Sequence, residues 1–206
     1  MTRTSGTEGY AEEAAALVVQ YESITFEQTQ GSIIHLFPTL PSRVLDIGAG
    51  TGRDAAGFAA LGHRVLAIEP TDELRTRAAA LHPLPEIEWL NNSLPDLALV
   101  RQRDELFDVV MLTAVWMHLD EGQRRRAMPN VASLVRPGGV MILSLRYGPV
   151  PPGRRMFAVP AEETIRLAQK EGMELTLHRP HLDSALMRPG VSWTRLAFAR
   201  PAVAAL

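Results

Sequence analysis

Three glycines that follow a short apolar run have the spacing of a ligand-binding turn. The run ends at Asp46-Ile47, and Gly48, Gly50 and Gly52 come directly after it. Glycine lets the backbone turn sharply and approach a ligand closely, and the unpaired N–H groups at the start of the next helix bind polar ligand atoms. A strand, a glycine turn and a helix in this order are typical of a nucleoside-cofactor site.

A second acidic residue lies at the spacing expected for binding a ribose. Residues 64–69 read as a strand that ends in Glu69, which lies 21 positions after Gly48. An acid at the end of the second strand accepts hydrogen bonds from ribose hydroxyls, and each bond to a charged group contributes about 1.5–3 kcal/mol. The turn and the acid together therefore predict that a nucleoside binds here.

The composition of the turn separates two classes of cofactor. The NAD fingerprint is G-x-G-x-x-G, but here Gly52 comes one residue early and Arg53 occupies the sixth position. The carboxylate of Asp46 beside the turn would repel a pyrophosphate, whereas it suits a ligand that carries an ammonium and a sulfonium. The residues favour S-adenosylmethionine (SAM), and an NAD-dependent oxidoreductase is the alternative.

Strand and helix patterns alternate along most of the chain, as expected for an α/β fold with a parallel sheet. Strands are predicted at 43–47, 64–69, 86–90, 107–112 and 140–145. A helix is predicted over 120–135, and residues 136–139 are predicted to interrupt regular secondary structure before the fifth strand. Two further strands, 173–178 and 192–199, have no clear helix between them and are predicted to be antiparallel neighbours. Residues 1–42 form an N-terminal helical segment that could cover the site as a lid, and residues 43–206 form the core.

With these motifs the chain resembles the class I SAM-dependent methyltransferases over residues 43–146. The matching segments are Val44–Gly52, Ala67–Pro70, Phe107–Val110 and Leu134–Gly139. The resemblance implies a Rossmann-like, doubly wound, seven-stranded, mostly parallel sheet whose last strand is antiparallel. It also implies a small single-domain enzyme that transfers the methyl group of SAM to an oxygen or nitrogen of a small molecule, leaving S-adenosylhomocysteine. A SAM-binding protein without catalytic activity is a further alternative.

The resemblance assigns cofactor binding to residues at the ends of the first four strands. Asn92 lies where the family often has an acid that binds the adenine amino group; its amide oxygen can also accept a hydrogen bond, and Asn91 or Ser93 are alternatives. The predicted cofactor-binding residues are Asp46, Gly48, Ala49, Gly50, Gly52, Arg53, Glu69, Pro70, Asn92, Ser93 and Thr113.

The segment after strand 4 is predicted to face the methyl acceptor. His118 is a candidate general base because imidazole titrates near neutral pH, although a histidine here also orders the turn into the next helix. Trp116 is a candidate for the wall of the site, with core packing as its alternative. Tyr21 is a candidate for contact with the acceptor from the N-terminal segment, or it packs there without a further role.

Arginine and tyrosine side chains follow strand 5, where acceptor contacts are also expected. Arg146 and Tyr147 are candidates for substrate binding, and an arginine facing the site would suit a carboxylate or phosphate on the acceptor. Arg154 and Arg155 form a second pair in a loop rich in proline and glycine, with solvent exposure as the alternative. His178, His181 and Asp183 have no ordered metal-ligand pattern, so no metal is predicted.

The composition narrows the remaining function classes. The chain has 206 residues, no cysteine and a net charge of −2, which excludes disulfides and a cysteine nucleophile and gives no basic footprint for nucleic acid. No apolar stretch has the roughly 20 residues of a membrane span, and the N-terminus lacks a signal-peptide core. A cytoplasmic monomer or homodimer that binds a small-molecule acceptor, but neither nucleic acid nor a membrane, is predicted.

Overall fold

A seven-stranded sheet forms the centre of the computed structural model, which describes residues 4–202. The strands are β1 (Arg43–Ile47), β2 (Arg64–Ile68), β3 (Ile87–Leu90), β4 (Phe107–Leu112), β5 (Val135–Tyr147), β6 (Glu174–Asp183) and β7 (Ser192–Ala199). Their order is β3-β2-β1-β4-β5-β7-β6, and β7 is antiparallel to both of its neighbours while the other pairs are parallel. The predicted fold class is therefore confirmed.

Helices cover both faces of the sheet. They are α1 (Tyr10–Tyr21), α2 (Phe26–Gln30), α3 (Arg53–Ala60), α4 (Asp72–Leu81), α5 (Ala98–Arg101), α6 (Glu121–Ala132) and α7 (Ala161–Lys170), and 3₁₀ turns span Gly31–Leu36 and Trp116–His118. Successive strand side chains point to opposite faces, so Val44 belongs to the apolar cluster on the α3 side and Leu45 to the cluster on the α6 side. Both faces are apolar because both are buried.

Residues 136–139, which were predicted to interrupt regular structure before strand 5, form a bulge inside that strand. Strand β5 begins at Val135, opposite Phe107, and the register then shifts so that Val140 lies opposite Val109. A Cβ on Gly139 would lie within 3.0 Å of the Phe107 and Asp108 carbonyl oxygens, so only glycine fits this close approach. Because β5 already begins at Val135, the preceding helix α6 is shorter than predicted and ends at Ala132.

Two apolar contacts attach the N-terminal segment to the core. Leu17 of α1 packs against Leu74 of α4 in a small apolar cluster. Phe26, the first residue of α2, contacts the rings of Phe37 and Phe58 with centroid distances of 6.2 and 5.2 Å. These contacts hold α1 and α2 beside the carboxyl ends of the first strands, where both helices contribute side chains to the central cavity.

Candidate functional site

The glycine turn between β1 and α3 has the backbone conformation that its residues predict. Gly48, Gly50 and Gly52 have φ values of 71°, 58° and 87°, in the left-handed region that favours glycine. A Cβ on Gly48 would lie 2.5 Å from the Cγ2 atom of Val115, whereas one on Gly50 would meet nothing within 4 Å. Gly48 must therefore be glycine for close packing as well as for its φ value.

Two buried carboxylates flank this turn. Glu69 accepts hydrogen bonds from the backbone N–H groups of Gly50 (2.9 Å) and Thr71 (2.8 Å). Asp46 is 2% exposed, and its Oδ2 atom is buried without a hydrogen-bond partner. Burial raises the pKa of both carboxyl groups, and for Asp46 the neighbouring Asp54 and Glu69 raise the pKa further while Arg53 opposes them. Burying a carboxylate without a partner costs free energy. A cationic or hydrogen-donating ligand would therefore stabilise this site.

The turn and the carboxylates line a cavity of about 410 Å³ at the carboxyl ends of the parallel strands. In open α/β sheets this edge is the usual place for a ligand. Most of the residues predicted from the sequence border the cavity: Asp46, Gly48, Ala49, Gly50, Arg53, Glu69, Pro70, Asn92, Ser93, Thr113, His118, Tyr21 and Arg146.

Three of the predicted site residues do not line the cavity. Trp116 is fully buried in the apolar cluster on the α6 side, as its core alternative predicts. The Tyr147 hydroxyl donates a hydrogen bond to the Val159 carbonyl oxygen at 3.2 Å, so it is used within the protein. Gly52 faces Trp89, whose ring would lie 2.8 Å from an added Cβ, and it therefore serves the packing of α3 on β3.

Asn92, rather than Asn91, presents its side chain to the cavity. The Oδ1 atom of Asn92 is buried without a hydrogen-bond partner. Asn91 instead donates to Asp72 at 3.3 Å, outside the cavity. A buried unpaired amide oxygen can accept from a ligand amino group, which is the role that the family resemblance implies for this position.

His118 is hydrogen-bonded at both ring nitrogens. Its Nδ1 atom lies 2.8 Å from the Arg155 carbonyl oxygen, and its Nε2 atom lies 3.0 Å from the Tyr10 hydroxyl. Burial lowers the pKa of the imidazole. The ring is therefore neutral near pH 7, and Tyr10 stands between its Nε2 atom and an approaching ligand.

Sequence reasoning missed Tyr10, which lines the cavity. One signal could have found it. Tyr10 and Tyr21 are 11 residues apart, about three helical turns, so they lie on the same face of α1. The helix is otherwise rich in alanine, so the second phenol of Tyr10 stands out on the face that already carries the predicted residue Tyr21.

Arg146 enters the cavity without an acidic partner. Its guanidinium donates to the carbonyl oxygens of Gly148 (3.4 Å) and Pro149 (2.8 Å), and its Nε atom is buried and unpaired. Within residues 4–202, no carboxylate forms an ion pair with it. Burial and the nearby Arg188 guanidinium lower the pKa of Arg146. Arg188 also lines the cavity and was missed.

Arg154 and Arg155 do not face the cavity, contrary to the interpretation of this pair as acceptor ligands. Arg154 pairs with Glu13 at 2.7 Å, and its guanidinium carbon lies 4.1 Å from the centre of the Tyr10 ring. Arg155 pairs with Asp120 at 2.9 Å. Both arginines instead fasten the loop after β5 to neighbouring parts of the protein.

Other classes of site find no support in the part of the chain that the structure describes. Residues 4–202 contain no group of three or more histidine, aspartate or glutamate side chains placed to hold a metal ion. Within the same residues, no helix combines the length and the apolar character needed to cross a membrane.

Comparisons with known proteins agree with the fold and the motifs. Residues 44–139 match the family described as a methyltransferase domain. An uncharacterised methyltransferase of Mycobacterium tuberculosis is 34% identical over 104 residues, covering 50% of this chain and 40% of that protein. A ubiquinone biosynthesis O-methyltransferase of Xanthomonas campestris is 32% identical over 132 residues, covering 63% of this chain and 53% of that protein.

A solved structure extends the likeness of fold to nearly the whole chain. The magnesium protoporphyrin IX methyltransferase of Synechocystis, crystallised with bound SAM, superposes with a TM-score of 0.67 at 14% identity, covering 97% of this chain and 86% of that one. Residues 44–139 thus match a methyltransferase domain, and the chain has the fold of a SAM-dependent class I methyltransferase, which supports the resemblance seen in the sequence. The chain spans about half the length of the curated relatives that it matches.

Proposed function

We propose that this protein transfers the methyl group of SAM to an oxygen or nitrogen of a small anionic molecule and releases S-adenosylhomocysteine. The observation that carries the proposal is the buried carboxylate of Asp46, whose Oδ2 atom has no partner beside the glycine turn. A cationic ligand would stabilise this carboxylate, whereas a pyrophosphate would be repelled. SAM brings a positive charge to this edge of the sheet and NAD brings a pyrophosphate.

The polar groups of the cavity fit the parts of SAM. Glu69 is held by two backbone N–H groups and would accept hydrogen bonds from the ribose hydroxyls. Asn92 offers an unpaired amide oxygen to the adenine amino group. Asp46 would hold the charged amino-acid end, with the glycine turn giving the backbone room to approach. When bound, SAM supplies an electrophilic methyl group on sulfur.

The arginines of the cavity support an anionic acceptor. Arg146 is 6% exposed and binds only backbone carbonyl oxygens, and Arg188 lies close enough to affect it electrostatically. A buried guanidinium is stabilised by an anion, which it can bind through two parallel hydrogen bonds. A carboxylate or phosphate on the acceptor would supply this anion.

The size and cover of the cavity support a small acceptor. The cavity of about 410 Å³ lies near the lower end of the range of about 300–1,000 Å³ for small-molecule sites, and it has to hold SAM as well, which leaves room only for a small acceptor. The ubiquinone-pathway relative is named for a small-molecule pathway.

We include in the proposal that residues 1–42 act as a lid, because Tyr10 and Tyr21 of α1 line the cavity. A cytoplasmic location and a monomeric or homodimeric state stay predictions from the sequence.

A methyl-transfer assay with matched acceptors tests the proposal. The protein is incubated with methyl-labelled SAM and pairs of small phenols, alcohols and amines that differ only in carrying a free carboxylate or its methyl ester. We expect labelled product and S-adenosylhomocysteine with free carboxylates and little with the esters. Formation of S-adenosylhomocysteine equal to the acceptor-free rate with every compound would favour a non-catalytic SAM-binding protein.

Variants of Arg146 test the anionic acceptor. Arg146→Ala should lower kcat/KM for an acidic acceptor by about 10–100-fold, since it removes charged hydrogen bonds worth about 1.5–3 kcal/mol, and should leave SAM affinity unchanged. Arg146→Lys should restore only part of the loss because a point charge replaces a bidentate group. The control is Arg101→Ala, which changes an exposed arginine outside the cavity. An Arg146→Ala enzyme with wild-type kcat/KM for acidic acceptors would overturn this part of the proposal.

A further inference from the structure

The hydrogen bonds of His118 fix the position of its proton. The Arg155 carbonyl oxygen, 2.8 Å from Nδ1, can only accept, so Nδ1 carries the hydrogen. In a neutral imidazole the other nitrogen is then an acceptor. The Tyr10 hydroxyl, 3.0 Å from Nε2, must therefore donate to it. His118 has no ring nitrogen left for direct contact with a ligand.

The charges around this pair keep both groups in these protonation states. Burial lowers the pKa of His118; Arg154 and Arg146 lower it further, while the Arg155 carbonyl and Glu8 raise it. Burial also raises the pKa of the Tyr10 phenol, and Tyr21 and Glu69 add to this effect while Arg154 opposes it. The histidine is therefore a neutral base, and the tyrosine is a protonated donor.

The oxygen of Tyr10 retains lone pairs after it donates to His118, and its side chain borders the cavity. We propose that Tyr10 is a catalytic residue that receives the proton of the acceptor while passing its own proton to Nε2 of His118. This inference rests on the proposed methyl-transfer function, and it turns the predicted base into a two-residue relay.

The step balances as a single displacement. The O–H or N–H bond of the acceptor breaks, its proton goes to the Tyr10 oxygen, and the original Tyr10 proton goes to Nε2 of His118. The electron pair freed on the acceptor forms the new bond to the methyl carbon, and the electron pair of the broken carbon–sulfur bond stays on sulfur. His118 becomes an imidazolium whose Nδ1–H still binds the Arg155 carbonyl, and it later loses its extra proton to water.

Contacts of the Tyr10 ring hold the relay in place. The guanidinium carbon of Arg154 lies 4.1 Å from the ring centre, and the ring meets that of His118 edge-on with a centroid distance of 5.5 Å. Tyr10 is also the first residue of α1. The relay is therefore complete only when α1 covers the cavity, which ties proton transfer to closure by the N-terminal segment.

Nitrogen-detected NMR of the protein labelled at histidine tests the relay without any acceptor. We expect His118 to be neutral at pH 7 with its hydrogen on Nδ1. Tyr10→Phe removes a hydrogen bond that favours the neutral ring, so the pKa of His118 should rise by roughly half to one unit. A hydrogen on Nε2, or a His118 titration unchanged in Tyr10→Phe, would overturn the inference.

Kinetics with an acceptor from the methyl-transfer assay tests the chemical role. Tyr10→Phe should lower kcat by about 10²–10⁴-fold with SAM affinity unchanged, and adding His118→Ala should cause little further loss because the two residues act as a unit. Tyr147→Phe is the matched control, since it removes a phenol bound to the Val159 carbonyl outside the cavity. A Tyr10→Phe enzyme with kcat within about threefold of wild type, or losses that multiply in the double variant, would overturn the relay.

The two proposals fail in different ways. Wild-type protein that binds no SAM in a calorimetric titration would contradict the proposed function, whatever the NMR result. SAM binding and methyl transfer that persist in Tyr10→Phe would contradict the relay and leave the proposed function intact.

Discussion

Asp46 is the residue on which the proposed recognition of SAM rests. Its carboxylate is buried beside the glycine turn, one oxygen has no partner, and burial raises its pKa. A nearby positive charge favours the ionised form of a carboxylate and lowers its pKa. Binding of a cationic ligand is therefore coupled to loss of a proton from Asp46 in the pH range where the free protein holds it.

The coupling predicts that SAM affinity rises with pH. Between the pKa of Asp46 in the SAM complex and its raised pKa in the free protein, SAM binding releases a proton, so the affinity increases with pH through this window and levels off above it. Calorimetry in buffers of different protonation enthalpy should detect the released proton. Asp46→Asn should weaken SAM binding by about 10–100-fold, from the loss of about 1.5–3 kcal/mol, and should reduce the proton release.

The stability of the Asp46 variant serves as its control. A carboxyl group whose pKa is raised on folding stabilises the protein below the unfolded pKa, and this contribution is lost as the pH rises through the folded pKa. At pH 7, Asp46→Asn should therefore not lower the Tm of the cofactor-free protein. Equal SAM affinity and equal proton release in wild type and a folded Asp46→Asn would show that this carboxylate does not hold the ligand.

The placement of site residues at the cavity could be predicted where it depends on local sequence and could not where it depends on distant contacts. Gly48 follows β1 and Glu69 follows β2, the next strand along the chain, so their spacing in the sequence was enough to predict that both lie at the same edge of the sheet. The bond between Tyr10 and His118 joins residues 108 positions apart, and no local pattern encodes it. The same limit applies to Arg154, whose partner Glu13 lies on a distant helix.

Among the elements, α1 is attached to the rest of the protein through one small apolar cluster and several polar contacts. Its apolar contact with α4 is small, and Arg154 adds an ion pair to Glu13, a bond to the Glu8 carbonyl at 3.2 Å and a contact with the Tyr10 ring. Because the Glu13 side chain is 52% exposed, solvent screens the ion pair and weakens it. A surface helix that is held partly by solvent-screened contacts opens more often than the sheet beneath it.

Arg154→Ala should loosen α1 without unfolding the protein. We expect amide exchange over Tyr10–Tyr21 to speed up by about 5–30-fold, equivalent to about 1–2 kcal/mol, with the sheet strands unchanged and with SAM slowing exchange in the wild type. Arg77→Ala, an exposed arginine of α4, is the control. If neither SAM nor Arg154→Ala altered exchange in α1, the segment would be a fixed part of the fold and not a lid.

Most elements could be predicted from apolar periodicity and from glycine and proline positions, with one instructive error. Residues 136–139 were predicted to separate the helix from the strand, because proline and two glycines rarely continue a regular element. The strand partner decides otherwise: Phe107 pairs with Val135 and Val109 with Val140, so the extra residues are accommodated as a bulge. Sequence alone does not show which neighbour a strand will find.

At the scale of the whole molecule, the strand order assembles the site. The order β3-β2-β1-β4-β5 brings the carboxyl ends of the strands to one edge, where Asp46, Glu69, Asn92 and Arg146 share one cavity. The family resemblance implied a seven-stranded sheet with an antiparallel last strand, but the strand order itself was not predicted, because apolar periodicity does not show which strands are adjacent. The cover provided by α1, with its two phenols, depends on tertiary packing that the sequence pattern does not specify.

The central claim is that this edge of the sheet binds SAM, and calorimetric titration of wild type and Glu69→Ala tests it most directly. We predict that wild type binds one SAM, that NAD does not compete, and that Glu69→Ala weakens the affinity by about 10–100-fold through the loss of charged hydrogen bonds. Far-UV circular dichroism should show that the variant is folded, since Glu69 follows the end of β2 and is not part of the apolar core. Unchanged SAM affinity in folded Glu69→Ala, or displacement of SAM by NAD, would contradict the account.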